Sequence, residues 1–94
     1  MGITIRLTAK LARLTNSNKV IFYDLKGEND LRSLIDALDE KFPGLKSVLC
    51  DEEFKITDSI NIYLNGENVR YLEGVNTQLK EGDSINIIPA EAAG

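Results

Sequence analysis

Residues 60–89 of this 94-residue chain read INIYLNGENVRYLEGVNTQLKEGDSINIIP. The run INIYL alternates apolar and polar residues, which is the period of a strand with one buried face. Asn65-Gly66 follows at once, and this dipeptide favours the two-residue type I′ turn of a β-hairpin. We therefore expect a short return strand, ENVR, after the turn. The run SINIIP, which ends in Pro89, predicts the last strand.

The segment before this stretch has a helical period. Between residues 29 and 44 the apolar side chains fall three and four positions apart and line one face: Leu31, Leu34, Ile35, Leu38 and Phe42. Asp30 or Asn29 is placed to cap the amino end, because its side-chain oxygen can accept from a free amide of the first turn. Pro43 and Gly44 end the helix, since proline disfavours the helical conformation of the residue before it.

Two more strands are predicted near the amino terminus. ITIRLTAKL (3–11) alternates, KVIFYDL (19–25) is rich in β-branched and aromatic residues, and the turn formers between them predict a hairpin with a long loop. Residues 45–58 fit a short helical turn followed by a loop. The order strand, strand, helix, strand, short strand, strand predicts an α+β domain with one main helix packed across a mixed sheet. The first and last strands can pair in parallel at its centre.

The composition excludes several classes of function. The chain has no histidine and one cysteine, which rules out Ser-His-Asp and Cys-His catalysis, an internal disulfide and a thiolate metal cluster. The net charge is −4 without a basic stripe, which argues against nucleic acid as a partner. No phosphate-binding glycine motif and no apolar run of about 20 residues occurs. We expect a single-domain cytoplasmic protein that is not an enzyme and binds neither metal nor membrane.

The side chains with the most reactive groups have structural interpretations. Cys50 follows two apolar residues and precedes three acids in SVLCDEEF, which predicts a buried thiol whose pKa the carboxylates raise. The neighbouring acids Asp39 and Glu40, like Glu52 and Glu53, are typical of a solvated face rather than of a general acid/base pair. The sequence therefore contains no catalytic residues.

The stretch AEAAG, residues 90–94, has almost no side-chain bulk. Pro89 has no amide hydrogen to extend a sheet ladder, so we expect one domain over residues 1–89 and an extended tail over 90–94. Five extended residues reach about 17 Å, which is enough to enter a narrow cleft of a partner protein. Simple fraying of the chain end is the alternative interpretation.

The order and spacing of these segments resemble the β-grasp sulfur carriers related to the small subunit of molybdopterin synthase (MoaD) and to ThiS. The resemblance runs nearly end to end. It covers AKLARLTN after the first strand, DLRSLIDALDEKFPGL at the helix, and INIYLNGENVRYLEGVNTQLKEGDSINIIPAEAAG. It implies a ubiquitin-like β-grasp fold.

The same resemblance implies a role for the tail. A partner activating enzyme would use ATP to join the C-terminal carboxylate of Gly94 to AMP, and sulfur from a persulfide donor would displace AMP to give a thiocarboxylate. The rest of the tail would thread into that enzyme and then into a larger molybdopterin-synthase-type subunit: Ala90, Glu91, Ala92 and Ala93. The sheet face, with apolar residues around the last strands, would dock both partners. The carrier would bind no cofactor tightly, and the pathway implied is molybdenum cofactor biosynthesis.

Two sets of alternatives stay open. The family pattern ends in Gly-Gly where this chain has Ala93-Gly94, which fits a tolerant partner, a chain with one further glycine, or a relative that has left sulfur transfer. The sulfur acceptor could be a molybdopterin, thiazole or amino-acid precursor, or a tRNA. A second hypothesis is a ubiquitin-like modifier that joins target lysines, or a binding module that uses the sheet face.

Overall fold

The computed structural model describes residues 2–24 and 29–90 of the chain. These residues form one sheet whose strands are β1 (Ile3–Leu7), β2 (Val20–Tyr23), β3 (Ile60–Leu64), β4 (Glu67–Asn68) and β5 (Ser84–Pro89). Their spatial order is β2-β1-β5-β3-β4. β1 and β5 are parallel and the other pairs are antiparallel. The predicted mixed sheet, with the first and last strands parallel at its centre, is confirmed.

The main helix, α2 (Leu31–Lys41), packs its apolar side onto this sheet. All five side chains that the helical period predicts to be buried are at most 5% exposed: Leu31, Leu34, Ile35, Leu38 and Phe42. The Asp30 carboxylate caps the helix, with Oδ1 accepting from the amide of Ser33 at 2.8 Å. This backbone hydrogen bond holds the pKa of Asp30 below its ordinary value. The predicted helix, its buried face and its cap are confirmed.

The chain turns sharply between α2 and a second short helix, α3 (Leu45–Leu49). Gly44 has φ of +100°, a left-handed conformation that glycine adopts without the steric cost of a side chain. The Asp39 carboxylate accepts from the amides of Gly44 at 3.1 Å and Lys46 at 3.0 Å, which satisfies free donors at the start of α3. The predicted helix stop and the short helical turn after it are confirmed.

The connection between β1 and β2 differs from the prediction. The strand predicted over residues 3–11 ends at Leu7, and α1 (Ala9–Ala12) follows, continued by a 3₁₀ turn over Arg13–Thr15. Alanine, lysine and leucine favour the helix, and the turn brings Leu11 into the core at 5% exposure. Burial of this leucine therefore decides the local structure over the alternating pattern. The last residue of the predicted second strand, residue 25, lies outside the described residues.

β3 and β4 form the predicted hairpin. Asn65 and Gly66 connect them with φ of 51° and 90°, and positive φ at both central residues is the requirement of a type I′ turn. The Asn65 side chain also joins the turn to the start of β5. Its Nδ2 donates to Oδ1 of Asp83 at 2.9 Å, and its Oδ1 accepts from the amide of Ser84 at 2.9 Å.

The helices of the described segments are short. The longest of them, α2, has 11 residues. No helix within residues 2–24 and 29–90 has the length and apolar character needed to cross a bilayer.

Candidate functional site

The end of β5 leads toward the predicted tail. Pro89 pairs with Ile60, and the amide of Ala90 donates to the carbonyl of Ser59 at 2.8 Å. Pairs alternate between hydrogen-bonded and non-bonded along an antiparallel ladder, so Pro89 occupies a non-bonded position toward β3 and its missing amide removes no bond there. The ladder thus runs one residue beyond the proline. Ala90, the first residue of the predicted tail, is held on the sheet.

The other predicted tail residues lie outside the described part of the chain: Glu91, Ala92, Ala93 and Gly94. Their point of departure is nevertheless fixed. Ala90 follows β5, which lies at the centre of the sheet between β1 and β3. A segment that leaves this strand starts from a rigid position.

Arg70 holds the strand that faces this point of departure. Its guanidinium donates to three backbone carbonyls, those of Ile56 at 3.4 Å, Thr57, and Ile60 at 2.8 Å. The Asp58 carboxylate lies 4.0 Å from the same guanidinium. Because Ile60 pairs with Pro89, these bonds fix β3 at the level where the chain leaves the sheet.

The sheet face opposite α2 is the second candidate element, and we call it the open face. Alternation and strand register define it by ten side chains: Thr4, Arg6, Val20, Phe22, Asn61, Tyr63, Asn68, Ser84, Asn86 and Ile88. The large exposed apolar side chains of this face lie on β2, where Phe22 is 77% and Val20 43% exposed. Ile88 on the last strand is half-buried. Tyr71 and Leu72, shortly after β4, are also exposed, at 87% and 39%, so the prediction that exposed apolar residues surround the last strands is confirmed in part.

Cys50 lies in the core and is 4% exposed. Burial raises the pKa of its thiol to about 11, Lys46 opposes this shift, and Asp51 and Asp36 add to it. The thiol is protonated at neutral pH and is not a nucleophile. The predicted structural cysteine is confirmed, with burial rather than the neighbouring carboxylates as the larger cause.

The acidic side chains of the described residues have structural roles or lie in solvent. Asp39 accepts from two amides of the α2–α3 turn, while Glu52 and Glu53 are exposed. No group of three or more Cys, Asp or Glu side chains within residues 2–24 and 29–90 is arranged to hold a metal ion. The candidate functional elements are therefore the end of β5 and the open face.

Comparison with known proteins identifies the family. The ThiS family model matches residues 5–94. The chain belongs to the ThiS family. This ThiS-family chain is 31% identical to the sulfur carrier protein CysO of Mycobacterium tuberculosis over 96 residues that span 100% of both proteins. It is 26% identical over 94 residues, again 100% of both, to small archaeal modifier protein 3 of Haloferax volcanii.

Solved structures give the same result for the fold. The crystal structure of the BexX/CysO complex of Amycolatopsis orientalis contains a similar chain, with a TM-score of 0.83 and 32% identity over 94% of each chain. The predicted ubiquitin-like β-grasp fold is confirmed for this ThiS-family chain. That relative is seen in a complex with another protein, and the relatives named here are sulfur carrier or modifier proteins.

Sequence reasoning did not find two features of this surface. The first is the set of hydrogen bonds from Arg70 to backbone carbonyls at least ten positions earlier in the chain. No local sequence pattern predicts contacts of this kind. The second is the exposure of Phe22, which the sequence of β2 does indicate. The run VIFY is apolar on both faces of β2, although an edge strand of a small domain buries only one face.

Proposed function

We propose that this chain is a sulfur carrier protein whose Gly94 carboxylate is adenylated by a partner enzyme and converted to a thiocarboxylate. The single observation that carries this function is the match, over the full length of both proteins, to the sulfur carrier CysO. The family model also extends through residue 94. The fixed position of Ala90 at the end of a central strand is what a carrier needs, because a rigid base limits the entropy lost when a tail enters a channel.

The chemistry requires no side chain of the carrier. A carboxylate oxygen of Gly94 attacks the α-phosphorus of ATP and pyrophosphate leaves, which gives an acyl adenylate. The terminal sulfur of a persulfide attacks the acyl carbon and AMP leaves, which gives an acyl disulfide. A thiol then attacks the donor's sulfur, the thiocarboxylate leaves with the electron pair, and donor and thiol end as a disulfide. ATP, persulfide and thiol belong to the partners.

Side-chain size supports a threading role for the tail. Ala90, Ala92 and Ala93 carry only a methyl group, and Glu91 is the one longer side chain before Gly94. A channel that admits these residues can exclude water from the acyl adenylate, which would otherwise be hydrolysed. The open face is the surface on which the activating enzyme docks.

For the partner subunit and the sulfur acceptor, we propose the assignment that the sequence resemblance implies. The carrier would next dock on a larger molybdopterin-synthase-type subunit and deliver sulfur to a molybdopterin precursor in the cytoplasm. The thiazole precursor, an amino-acid precursor and tRNA are the competing acceptors. Supplying each acceptor together with its own enzyme to the thiocarboxylate form, and measuring which one takes up the sulfur, distinguishes them.

The carrier function is tested by intact mass. The protein is incubated with an activating enzyme, ATP, a persulfide donor and a thiol, and we expect a gain equal to the replacement of one oxygen by sulfur. Fragmentation should place this gain on the peptide that contains Gly94. The matched control lacks Gly94 and should gain nothing. A protein that gains no sulfur while CysO gains it in parallel with its own activating enzyme would contradict the function.

A second candidate is a protein modifier, and the similarity to small archaeal modifier protein 3 favours it. In this case the amine of a target lysine attacks the activated Gly94 carbonyl and an amide bond forms. Conjugates that resist reducing agent and disappear when Gly94 is deleted would support this function. Partner binding without sulfur gain or conjugates would leave a plain binding module.

A further inference from the structure

Charge is unevenly distributed along this chain. Residues 1–23 contain four of the 11 Lys and Arg residues and none of the 15 Asp and Glu residues, although the net charge is −4. Within the described residues this segment builds β1, α1 and β2, which form one side of the sheet. The segment that contains β2 is therefore basic within a protein whose net charge is negative.

The backbone of β2 is arranged to accept another strand. β2 is the edge strand, with β1 on one side and no strand of the described segments on the other. The amide of Leu7 donates to the carbonyl of Lys19 at 2.8 Å, which sets the alternation of the ladder. By this alternation Ile21 bonds to β1, whereas the amides and carbonyls of Val20 and Phe22 point away from the sheet.

The same two residues present apolar side chains to solvent. Phe22 is 77% and Val20 43% exposed. Edge strands of natural proteins are usually protected by charges, prolines or bulges, because an open apolar edge invites pairing with another strand. Val20 begins β2 and Phe22 lies within it, and neither residue is a charge or a proline. A cavity of about 350 Å³ runs beside them, toward the end of α2.

Basic side chains surround this cavity and edge. Lys41, at the end of α2, lines the cavity together with Val20 and Phe22. Arg6 is the cross-strand neighbour of Val20 on the open face, and Lys19 immediately precedes β2. The Arg6 guanidinium donates to Oγ of Ser84 on β5 at 3.2 Å, so Lys19 and Lys41 are the cations that a segment paired with β2 meets.

We propose that the β2 edge is a docking site for an extended acidic segment of a partner protein, which adds to the sheet as a further strand. Its backbone pairs with Val20 and Phe22, an apolar side chain covers Phe22, and its carboxylates lie beside Lys19 and Lys41. Asp24 marks the other end of β2, so the acidic residues of the segment gather at the Lys19 end.

Charge selects this occupant over a second copy of the chain. Pairing of two β2 edges would bring together two segments that each carry four cations and no anion over residues 1–23. β1 separates the β2 edge from β5, the strand that leads to the tail. The inference does not depend on the proposed sulfur chemistry.

The test uses the full chain, labelled with ¹⁵N, and a capped synthetic peptide in which a Val-Ile-Val-Ile run is flanked by glutamates. We expect amide shifts confined to residues 19–22 and to Lys41 and its neighbours, with affinity that falls as salt rises. A peptide flanked by lysines should not bind. A peptide methylated on alternate backbone nitrogens of the run should not bind either, because it cannot pair with a strand edge.

Two variants complete the experiment. Phe22→Glu should weaken binding at least about ten-fold, since it removes the central apolar contact and adds repulsion. Tyr71→Glu is the matched control, because Tyr71 is 87% exposed on a different surface, and it should bind like the wild type. Three results would overturn the inference. They are a Phe22→Glu variant that binds the glutamate peptide as tightly as the wild type does, a lysine peptide that binds as tightly as the glutamate peptide, and amide shifts centred on Tyr71. If the wild type bound no peptide but sedimented as a dimer, and Phe22→Glu sedimented as a monomer, the edge would be assigned to a second copy of the chain instead.

Discussion

The guanidinium of Arg70 donates to the backbone carbonyl of Ile60 at 2.8 Å and so joins the turn after β4 to the first residue of β3. Ile60 is also the partner of Pro89 at the end of β5. Hydrogen bonds of one side chain therefore support the backbone from which the predicted tail departs.

Replacing Arg70 by methionine should destabilise the backbone that these hydrogen bonds hold in place. The substitution keeps much of the aliphatic length but leaves the carbonyls of Thr57 and Ile60 without their charged donor, at a cost of about 1–3 kcal/mol in the free energy of unfolding. Urea unfolding measures the cost, and hydrogen exchange should show faster opening of the Ala90 amide. Arg6→Met is the control, because exposed Arg6 bonds only to Ser84 at 3.2 Å among the contacts described. Equal loss in both variants would contradict the role of Arg70.

The cap of α2 predicts a pH dependence. The hydrogen bond from the Ser33 amide lowers the pKa of Asp30, so the carboxylate stabilises the folded state above its ordinary value of 3.8. That contribution is lost as pH falls through the lowered pKa of the folded state. Asp30→Ala should cost about 1 kcal/mol at neutral pH. The difference from the wild type should shrink in acid, as measured by urea unfolding across pH.

A control in the same helix isolates the cap from general charge effects. Glu40 is exposed in the last turn of α2, and Glu40→Ala should change the free energy of unfolding by less than about 0.5 kcal/mol at every pH. If Asp30→Ala had the same flat and small effect, its side chain would not be stabilising the helix.

Two substitutions at Asn65 separate backbone conformation from hydrogen bonding. Asn65→Gly keeps the positive φ of the turn but removes the bonds to Asp83 and Ser84, and should cost about 1–2 kcal/mol. Asn65→Ala removes the same bonds and adds left-handed strain, and should cost about 1 kcal/mol more. Chemical denaturation of both variants gives the difference. An alanine variant as stable as the glycine variant would show that the turn changes type.

The buried thiol of Cys50 gives a fourth prediction. Its pKa is raised from 9.0 to about 11, so the folded state holds the proton more tightly than the unfolded state. The stabilisation is complete below pH 9 and is lost as pH rises toward the folded value. Cys50→Ala should therefore show a weaker decline of unfolding free energy at alkaline pH. In the wild type, iodoacetamide should label the thiol slowly in buffer and rapidly in urea.

The parts of this fold that the sequence predicts are those that local pattern decides. The period of Leu31 to Phe42 indicates a helix face, and Asn65-Gly66 indicates a turn that few other dipeptides can form. Tertiary contacts decide the rest. Burial of Leu11 turns the end of a predicted strand into a helix, and the carbonyls that Arg70 binds come from a distant loop. The tail was expected to leave at Pro89, yet Ala90 is held by Ser59 because the proline occupies a non-bonded position toward β3.

Ala93 provides the last prediction and the sharpest test of the proposed carrier. Relative to glycine, it adds a methyl group and restricts the backbone next to Gly94. Ala93→Gly should therefore form thiocarboxylate at least as fast as the wild type with the protein's own activating enzyme, and faster with an enzyme whose channel fits Gly-Gly. Rates are compared by intact mass over time, and thermal unfolding should show equal stability because the position lies beyond Ala90, which is still held on the sheet.

Two further variants decide what each result means. Ala92→Gly is the matched control, and it should accelerate the reaction less because it lies farther from the reacting carboxylate. Ala93→Val should slow adenylation strongly without changing stability, since a branched side chain restricts the backbone further and adds bulk. If valine were tolerated as well as glycine, residue 93 would not pass through a narrow channel. In that case the tail would not thread into the activating enzyme. Deletion of Gly94 would still test whether this residue is the one adenylated.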